Sequence, residues 1–402
     1  MNILLQQDNN CDIPIILDEI DLHVTTKCNL KCSFCSVRAN EHNYNDLSLK
    51  QIFEIISQAH NLGMKELHLT GGEPALRQDL EQIINYAFKK GIKTRVITNG
   101  TLINKKRLYR LQDAGLLNIM VSIDGLEQTH NIMRGSSSSW KKAINCVEMA
   151  VKLGFQTRIA LAAFKNNINE IPKLMEIANN IGTHIFSIFI GSPLGRGIKL
   201  KDKVIDSHIW YLFLKKLLKD VSKSRYGHNM EIIAEQGFLW SDTKGFNPDN
   251  IKGRGTGCST LLKNFDYLIV RGDGNLYPCI FFLHNGVSLG NITKQSLKSA
   301  LVYAKKQKAY EKFVKLKNGC KDCKFNFSCN GGCSGYSFLY FKDWHKPDPR
   351  CMLQQKIVKK NTFQQEFLSS QQYHQQYYPL CPIAKLNLRT GQFGGSSEQA
   401  LS

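Results

Sequence analysis

The sequence predicts an α/β protein: a parallel sheet built from six strand–helix units, followed by a smaller cysteine-rich α+β region. Three observations carry this. Short apolar strands alternate with amphipathic helical stretches from Glu19 to about Ser222, the pattern that requires right-handed crossovers and a parallel sheet. Small and polar residues (GGEP, TNG, SIDG) mark strand ends. From about Glu231 the alternation stops and the cysteines become dense.

In order, residues 1–18 are a lead-in too short to hold a domain. Glu19 to Thr26 is a short buried strand in which Ile20, Leu22 and Val24 alternate. A cysteine loop follows, then a helix over Ser48 to Leu62 with Ser48 as N-cap. The next strands are Lys65 to Thr70, Thr94 to Thr98, Leu117 to Ile123, Gln156 to Ala163 and Ile185 to Ile190. Helices are expected near 77–90, 104–114, 140–153, 170–181 and 206–222. Residues 231–355 form the second region, with a hairpin over Phe265 to Val270 and Asn275 to Cys279 and a basic helix from about Thr293 to Leu316. Residues 356–402 are a Gln-rich, then Gly/Ser-rich tail whose last dozen residues read as disordered.

The chain of 402 residues, 42% hydrophobic, is long enough for two domains with proper cores. No apolar run reaches the roughly 18 residues of a membrane span, and MNILLQQDNNCD lacks a signal-peptide core. A cytoplasmic protein without a membrane partner is expected. Thirteen cysteines in such a chain, grouped as C-x3-C-x2-C and C-x2-C-x5-C-x3-C, read as metal ligands rather than disulfides. A net charge of +20 and pI near 9.4 suit an acidic partner, or simply lysine-rich solvated helix faces. No nucleic-acid motif accompanies the charge, so nucleic acid is not an expected partner.

The stretch TTKCNLKCSFCS places Cys28, Cys32 and Cys35 in one loop directly after a strand. Three thiolates so placed can hold three irons of a [4Fe–4S] cluster, which ordinarily takes four cysteines. No fourth cysteine lies nearby, which leaves one iron open to an outside ligand. A zinc site is the alternative, but structural zinc closes with four N/S ligands.

This loop resembles the signature of the radical S-adenosylmethionine (SAM) superfamily. The resemblance implies a partial (β/α)6 barrel, SAM chelated at the open iron, and reductive cleavage to a 5′-deoxyadenosyl radical that abstracts a hydrogen atom. It further implies that Gly71-Gly72-Glu73 meets the methionyl amino group, with Glu73 as acceptor. Asn99, Ser122 and Asp124 border SAM, the last two suiting ribose hydroxyls or the carboxylate. Arg134 suits the methionyl carboxylate, and Phe34 packs against adenine. Ser192 to Gly197 (SPLGRG) resembles a loop of peptide-modifying members.

Cys258, Cys279, Cys320, Cys323, Cys329, Cys333 and Cys351 resemble the seven-cysteine SPASM domain, which holds two auxiliary [4Fe–4S] clusters. By that resemblance Cys320, Cys323, Cys329 and Cys351 hold the far cluster, and Cys258, Cys279 and Cys333 the near one. Three [4Fe–4S] clusters are therefore expected. Asn264 stands where sulfatase-maturating enzymes have a further cysteine, so the near cluster's last ligand is a substrate group, water or Cys381. Ile280 stands where those enzymes carry a basic aspartate, which argues against formylglycine formation. Cys11 and Cys146 read as a lead-in and a helix-packing residue.

The resemblance spans about residues 19–352 and implies a maturase acting on a ribosomally made precursor peptide by crosslinking, epimerisation or backbone excision. The expected partners are that peptide, a reductant such as flavodoxin or ferredoxin, and a separate leader-recognition protein or direct binding by the barrel surface. The alternatives are a haem-precursor or other small-molecule radical enzyme and a non-catalytic electron carrier.

Overall fold

The computed structural model describes residues 15–42, 44–223, 225–226, 229–235, 267–284, 287–306, 320–321, 331–351 and 385–387. Its framework is one sheet of eleven strands among these residues. Strands β1 (Glu19–Thr25), β2 (Glu66–Gly71), β3 (Lys93–Thr98), β4 (Asn118–Ser122), β5 (Gln156–Ala163), β6 (Ile185–Ile190) and β7 (Glu231–Glu235) lie side by side, each parallel to the next. Helices α1 (Leu49–Asn61), α2 (Leu80–Phe88), α3 (Lys105–Asp113), α4 (Glu127–Arg134), α5 (Ser139–Lys152), α6 (Ile171–Ile181) and α7 (Ser207–Ser222) form the crossovers.

Side-chain alternation along the strands sorts them into two faces. Ile20, Leu22, Leu67, Leu69, Ile119, Val121, Ile159, Leu161, Phe186 and Ile188 join the buried core beneath the helices. Their neighbours (Asp21, His23, His68, Arg95, Met120, Arg158, Ala160 and Ser187) face the barrel interior, which is polar. Helix α1 illustrates the local logic. Ser48 and Gln51 close a reciprocal capping box, worth about 1 kcal/mol, while Ile52, Ile55, Ile56 and Ala59 form the buried face.

All six expected strand–helix units are present, and three elements depart from expectation. Strand β7 adds a seventh parallel strand, Ile185 pairing with Glu231; its five residues, EIIAE, are too short and too charged at both ends to stand out. Helix α4, an eight-residue helix the sequence reading did not expect, precedes α5 and stops at Gly135 in the left-handed conformation (φ +66°). In the tail, β11 (Lys385–Asn387) pairs antiparallel with β7.

The expected hairpin forms between β8 (Tyr267–Val270) and β9 (Asn275–Tyr277), with β10 (Gly290–Asn291) beyond it. Strand β8 lies parallel against β1, so this hairpin continues the barrel's own sheet. Helix α8 (Leu297–Lys306) covers the first part of the basic stretch, whose remainder lies outside the described residues, and α9 (Ser334–Phe341) follows Cys333. The last dozen residues, expected to be disordered, also lie outside the described residues. No helix among the described residues is long and apolar enough to cross a membrane.

Candidate active site

Parallel strands put the loops that follow them at one end of the sheet, and every expected SAM motif lies there. The cysteine loop after β1 is held from all sides through its backbone. The Gly72 N–H donates to Thr25 O (2.7 Å) and the Glu73 N–H to Lys27 O (2.8 Å). A β-carbon on Gly72 would lie 2.0 Å from Lys27 O, and one on Gly71 would lie 2.6 Å from Thr25 O. These glycines are thus required by close approach to the cysteine loop itself, whereas the sequence suggested close approach to a ligand.

Asn40, at φ +68°, donates and accepts 2.8 Å bonds with the backbone of Cys28. Arg196, from the loop after β6, reaches across the barrel end. Its Nε donates to Cys32 O (2.9 Å), its Nη1 to Ala39 O (2.7 Å) and Glu41 (2.9 Å), and its backbone N–H to Cys35 O (2.9 Å). Asn29 is tied to Asn99 and Thr101, and Ser33 to Met133 O. Asn40 escaped the sequence reading because its role depends on a left-handed turn twelve residues from its partner.

Glu73 is buried and organises the ends of β2 and β3. Its Oε1 accepts from Thr98 Oγ1 (2.6 Å) and Ala75 N–H (3.0 Å), and its Oε2 from Asn99 N–H (2.8 Å). Burial pushes its carboxyl pKa up, while these donors pull it back. Asn99 is committed through its side chain to Asn29 and Thr101. Ser122 closes β4 beside Ala160.

Asp124 and Arg134, which the sequence assigned separately to the cofactor, are paired with each other in the structure. Arg134 Nε and Nη2 donate to Asp124 Oδ2 at 2.6 and 2.5 Å, and Asp124 Oδ1 accepts from Ala162 N–H at 2.9 Å. Arg134 Nη1 points at Cys32 Sγ (3.8 Å), and its guanidinium sits 5.2 Å from the centre of the Phe34 ring, which meets Phe164 edge-on. Burial opposes the Arg134 charge, but Asp124 and Cys32 more than offset it and hold the guanidinium above its ordinary value. His130 Nδ1 accepts from Asp124 N–H and Asn167 donates to Asp124 O, both partners missed from the sequence.

The three thiols suit an iron–sulfur cluster. Burial pushes the Cys28 pKa up to about 11 and raises that of Cys32, so cationic iron is what would hold them as thiolates. Among the described residues the only trio of ligand atoms mutually within 4.8 Å is Glu19, Glu66 and His68, so at least one pair of the three sulfurs lies farther apart than that. Tetrahedral zinc at about 2.3 Å per bond needs sulfurs roughly 3.8 Å apart. A pair farther apart than 4.8 Å does not meet that spacing and is compatible with a larger cubane.

Of the cysteines expected to hold auxiliary clusters, Cys279, Cys320 and Cys333 are buried and Cys351 is half-buried. Cys258, Cys323, Cys329 and the candidate Cys381 lie outside the described residues. Asp348, fully buried, accepts the Cys333 N–H (2.9 Å) and pairs with Arg350 (3.0 Å), while its carbonyl accepts the Cys351 N–H (2.9 Å). Tyr336 and Ser192 share a 2.5 Å hydroxyl contact that joins α9 to the Arg196 loop. Cys146 packs in the α5 core.

Residues 22–178 match the radical SAM superfamily, and residues 258–324 match the iron–sulfur cluster-binding SPASM domain. The chain belongs to the radical SAM superfamily. Its fold is the TIM-like radical SAM α/β architecture with a C-terminal SPASM domain, and the assignment supports SAM and iron–sulfur clusters as cofactors. An AdoMet-dependent heme synthase of Methanosarcina barkeri is 26% identical over 342 residues, covering 82% of this chain and 94% of the relative. The structure of SuiB of Streptococcus suis bound to precursor peptide SuiA is similar at TM-score 0.68 and 21% identity, over 84% of this chain and 76% of that one. The enzyme anSMEcpe with bound AdoMet is similar at TM-score 0.66 and 20% identity, over 85% and 95% of the two chains.

Proposed function

We propose that this radical SAM enzyme binds SAM at the cluster held by Cys28, Cys32 and Cys35 and abstracts a hydrogen atom from a residue of a ribosomally made precursor peptide. One arrangement carries the catalytic part of this reading: strand-end loops converge on the backbone of the cysteine loop and leave its three sulfurs without a fourth cysteine from the loop. Bound together, the cluster and SAM supply a one-electron cleavage that yields a hydrogen-abstracting radical.

The protein's own groups position and shield that chemistry. Glu73 Oε2 takes one backbone donor and retains acceptor capacity for an ammonium group. Arg134, oriented by Asp124, offers a guanidinium beside Cys32 to a carboxylate. Ser122 and Asn99 border the same end of the sheet, and the exposed part of Phe34 offers a face to adenine. Two auxiliary clusters on the C-terminal cysteines, a flavodoxin or ferredoxin reductant and a cytoplasmic setting complete the proposal. A separate leader-recognition protein is included among the proposed partners.

A peptide substrate is supported by likeness to an enzyme solved with its precursor peptide and by a charge of +20 that favours acidic segments. A second reading, a haem-precursor enzyme, is supported by 26% identity across 94% of a heme synthase. The test is anaerobic turnover with dithionite and SAM, offering peptides encoded beside the gene or iron coproporphyrin. A peptide mass change coupled to 5′-deoxyadenosine supports the first reading. Porphyrin conversion with no peptide change refutes it in favour of the second.

A further inference from the structure

The barrel interior contains hydrogen-bonding groups that the described residues do not satisfy. Arg158, on β5, faces inward, because its neighbour Ile159 belongs to the helix-facing core. It is 7% exposed, its Nε is enclosed without a partner, and its guanidinium makes no hydrogen bond or ion pair among the described residues. Burial and the nearby Arg95 push its pKa down to about 10; Glu231, Glu66 and Glu19 are felt at longer range but none forms an ion pair with it. Arg95 is itself engaged with His68 Nε2 at 2.7 Å. An unpaired buried charge costs several kcal/mol, so a guanidinium kept this way is poised for a partner that arrives later.

The layer above Arg158 makes room for such a partner. Ser122, Ala160 and Ser187 stand in register on β4, β5 and β6, all small and all facing inward. The Ser187 hydroxyl, on a residue 1% exposed, also lacks a partner. Next along β5 is Ala162, whose N–H is held by Asp124 at the cluster end. Arg158 lies four residues below it, about 13 Å along the strand, and Ala160 is the only inward-facing residue of β5 between them.

We propose that Arg158, with the hydroxyls of Ser187 and Ser122, anchors a carboxylate of the substrate inside the barrel, while the reacting C–H lies toward the cysteine loop. Arg158 and the two hydroxyls can all donate, and a guanidinium flanked by hydroxyls complements a carboxylate. The carboxylate belongs either to an acidic peptide residue or to a tetrapyrrole side chain. The inference rests on the reading above, that SAM binds at the cysteine loop and a substrate C–H bond reacts there.

The test uses reconstituted holoenzyme and two fluorescence-binding probes, each with a neutral counterpart. They are coproporphyrin III against its tetramethyl ester, and a dansylated Ala-Glu hexapeptide against the Ala-Gln version. Tighter binding of one acid probe identifies the carboxylate's source, and Arg158→Met should weaken that probe at least thirtyfold, with Arg158→Lys in between. Arg158→Met should keep or raise the thermal midpoint, because no partner is lost. The anchor is overturned if acid and neutral probes bind alike, if Arg158→Met binds as wild type, or if it lowers the midpoint as loss of a structural ion pair would. Wild-type SAM cleavage, measured alongside, separates these outcomes from failure of the radical reading.

Discussion

Removing the Arg196 guanidinium should loosen the SAM cluster without touching a ligand. Arg196 donates to Cys32 O at 2.9 Å and Ala39 O at 2.7 Å, two bonds from a charged donor. Each is worth about 1.5–3 kcal/mol when buried. The side chain is 21% exposed, so water recovers part of that loss. A total of about 2 kcal/mol is expected for Arg196→Ala, which is roughly thirtyfold in the population of an opened loop. Arg196→Lys should fall between, since one ammonium cannot match a fork aimed at two carbonyls. The assay follows the electron paramagnetic resonance signal of the reduced cluster that responds to SAM, under challenge by an iron chelator. That signal separates this cluster from any auxiliary iron. Arg196→Ala should lose it about thirtyfold faster. A wild-type lifetime in that variant would refute the clamp.

Gly72→Ala forces a β-carbon to within 2.0 Å of Lys27 O, which is backbone and cannot yield cheaply; about 3 kcal/mol or more should be lost, along with SAM-responsive iron. Gly91→Ala, in open space at φ +71°, should cost only about 1–2 kcal/mol and keep the cluster, so equal behaviour of the two variants would contradict the contact. Asp348→Asn strips the buried partner from Arg350 and should destabilise the C-terminal region by about 3–5 kcal/mol, releasing auxiliary iron before SAM-responsive iron. The reverse order of release would count against it. His23 and His130 are held neutral by burial at pKa about 4, against about 6.5 when unfolded. The unfolded chain therefore binds more protons between these values. Stability is full above the unfolded pKa and falls as pH drops toward the folded one. From pH 7.5 to 5.5 each histidine should cost about 1.3 kcal/mol in urea unfolding. His130→Asn should remove one such share of the slope, and an unchanged slope would rule out His130 as its source.

Chemistry leaves clear marks in this sequence where a residue type is indispensable. The cysteine spacing, the strand-end glycines and the alternation of six strands and helices were all legible, because each follows from local rules. What holds the loop was not. Asn40 acts through a left-handed turn, and Arg196 acts on Cys32 across 164 residues of sequence. The mutual pairing of Asp124 and Arg134 was hidden for a related reason. Each side chain alone suits a ligand, and only the α4 fold-back, itself missed, brings them together. Strand β7, with five residues and charged ends, gains its place from pairing with β6 rather than from its own pattern. Nothing in the sequence sets Arg158 apart, since it follows Gln156 and Thr157 in the polar start of its strand; its inward register and lack of a partner appear only in three dimensions.

The most direct test of the central claim compares wild type with the triple variant Cys28→Ala/Cys32→Ala/Cys35→Ala after anaerobic reconstitution, measuring iron, zinc and 5′-deoxyadenosine with dithionite and SAM. Wild type should form 5′-deoxyadenosine, with about twelve irons if three clusters are present, and the variant should form none while losing about four irons. Continued 5′-deoxyadenosine formation by the variant, or zinc in place of iron with no cleavage by wild type, would contradict the account.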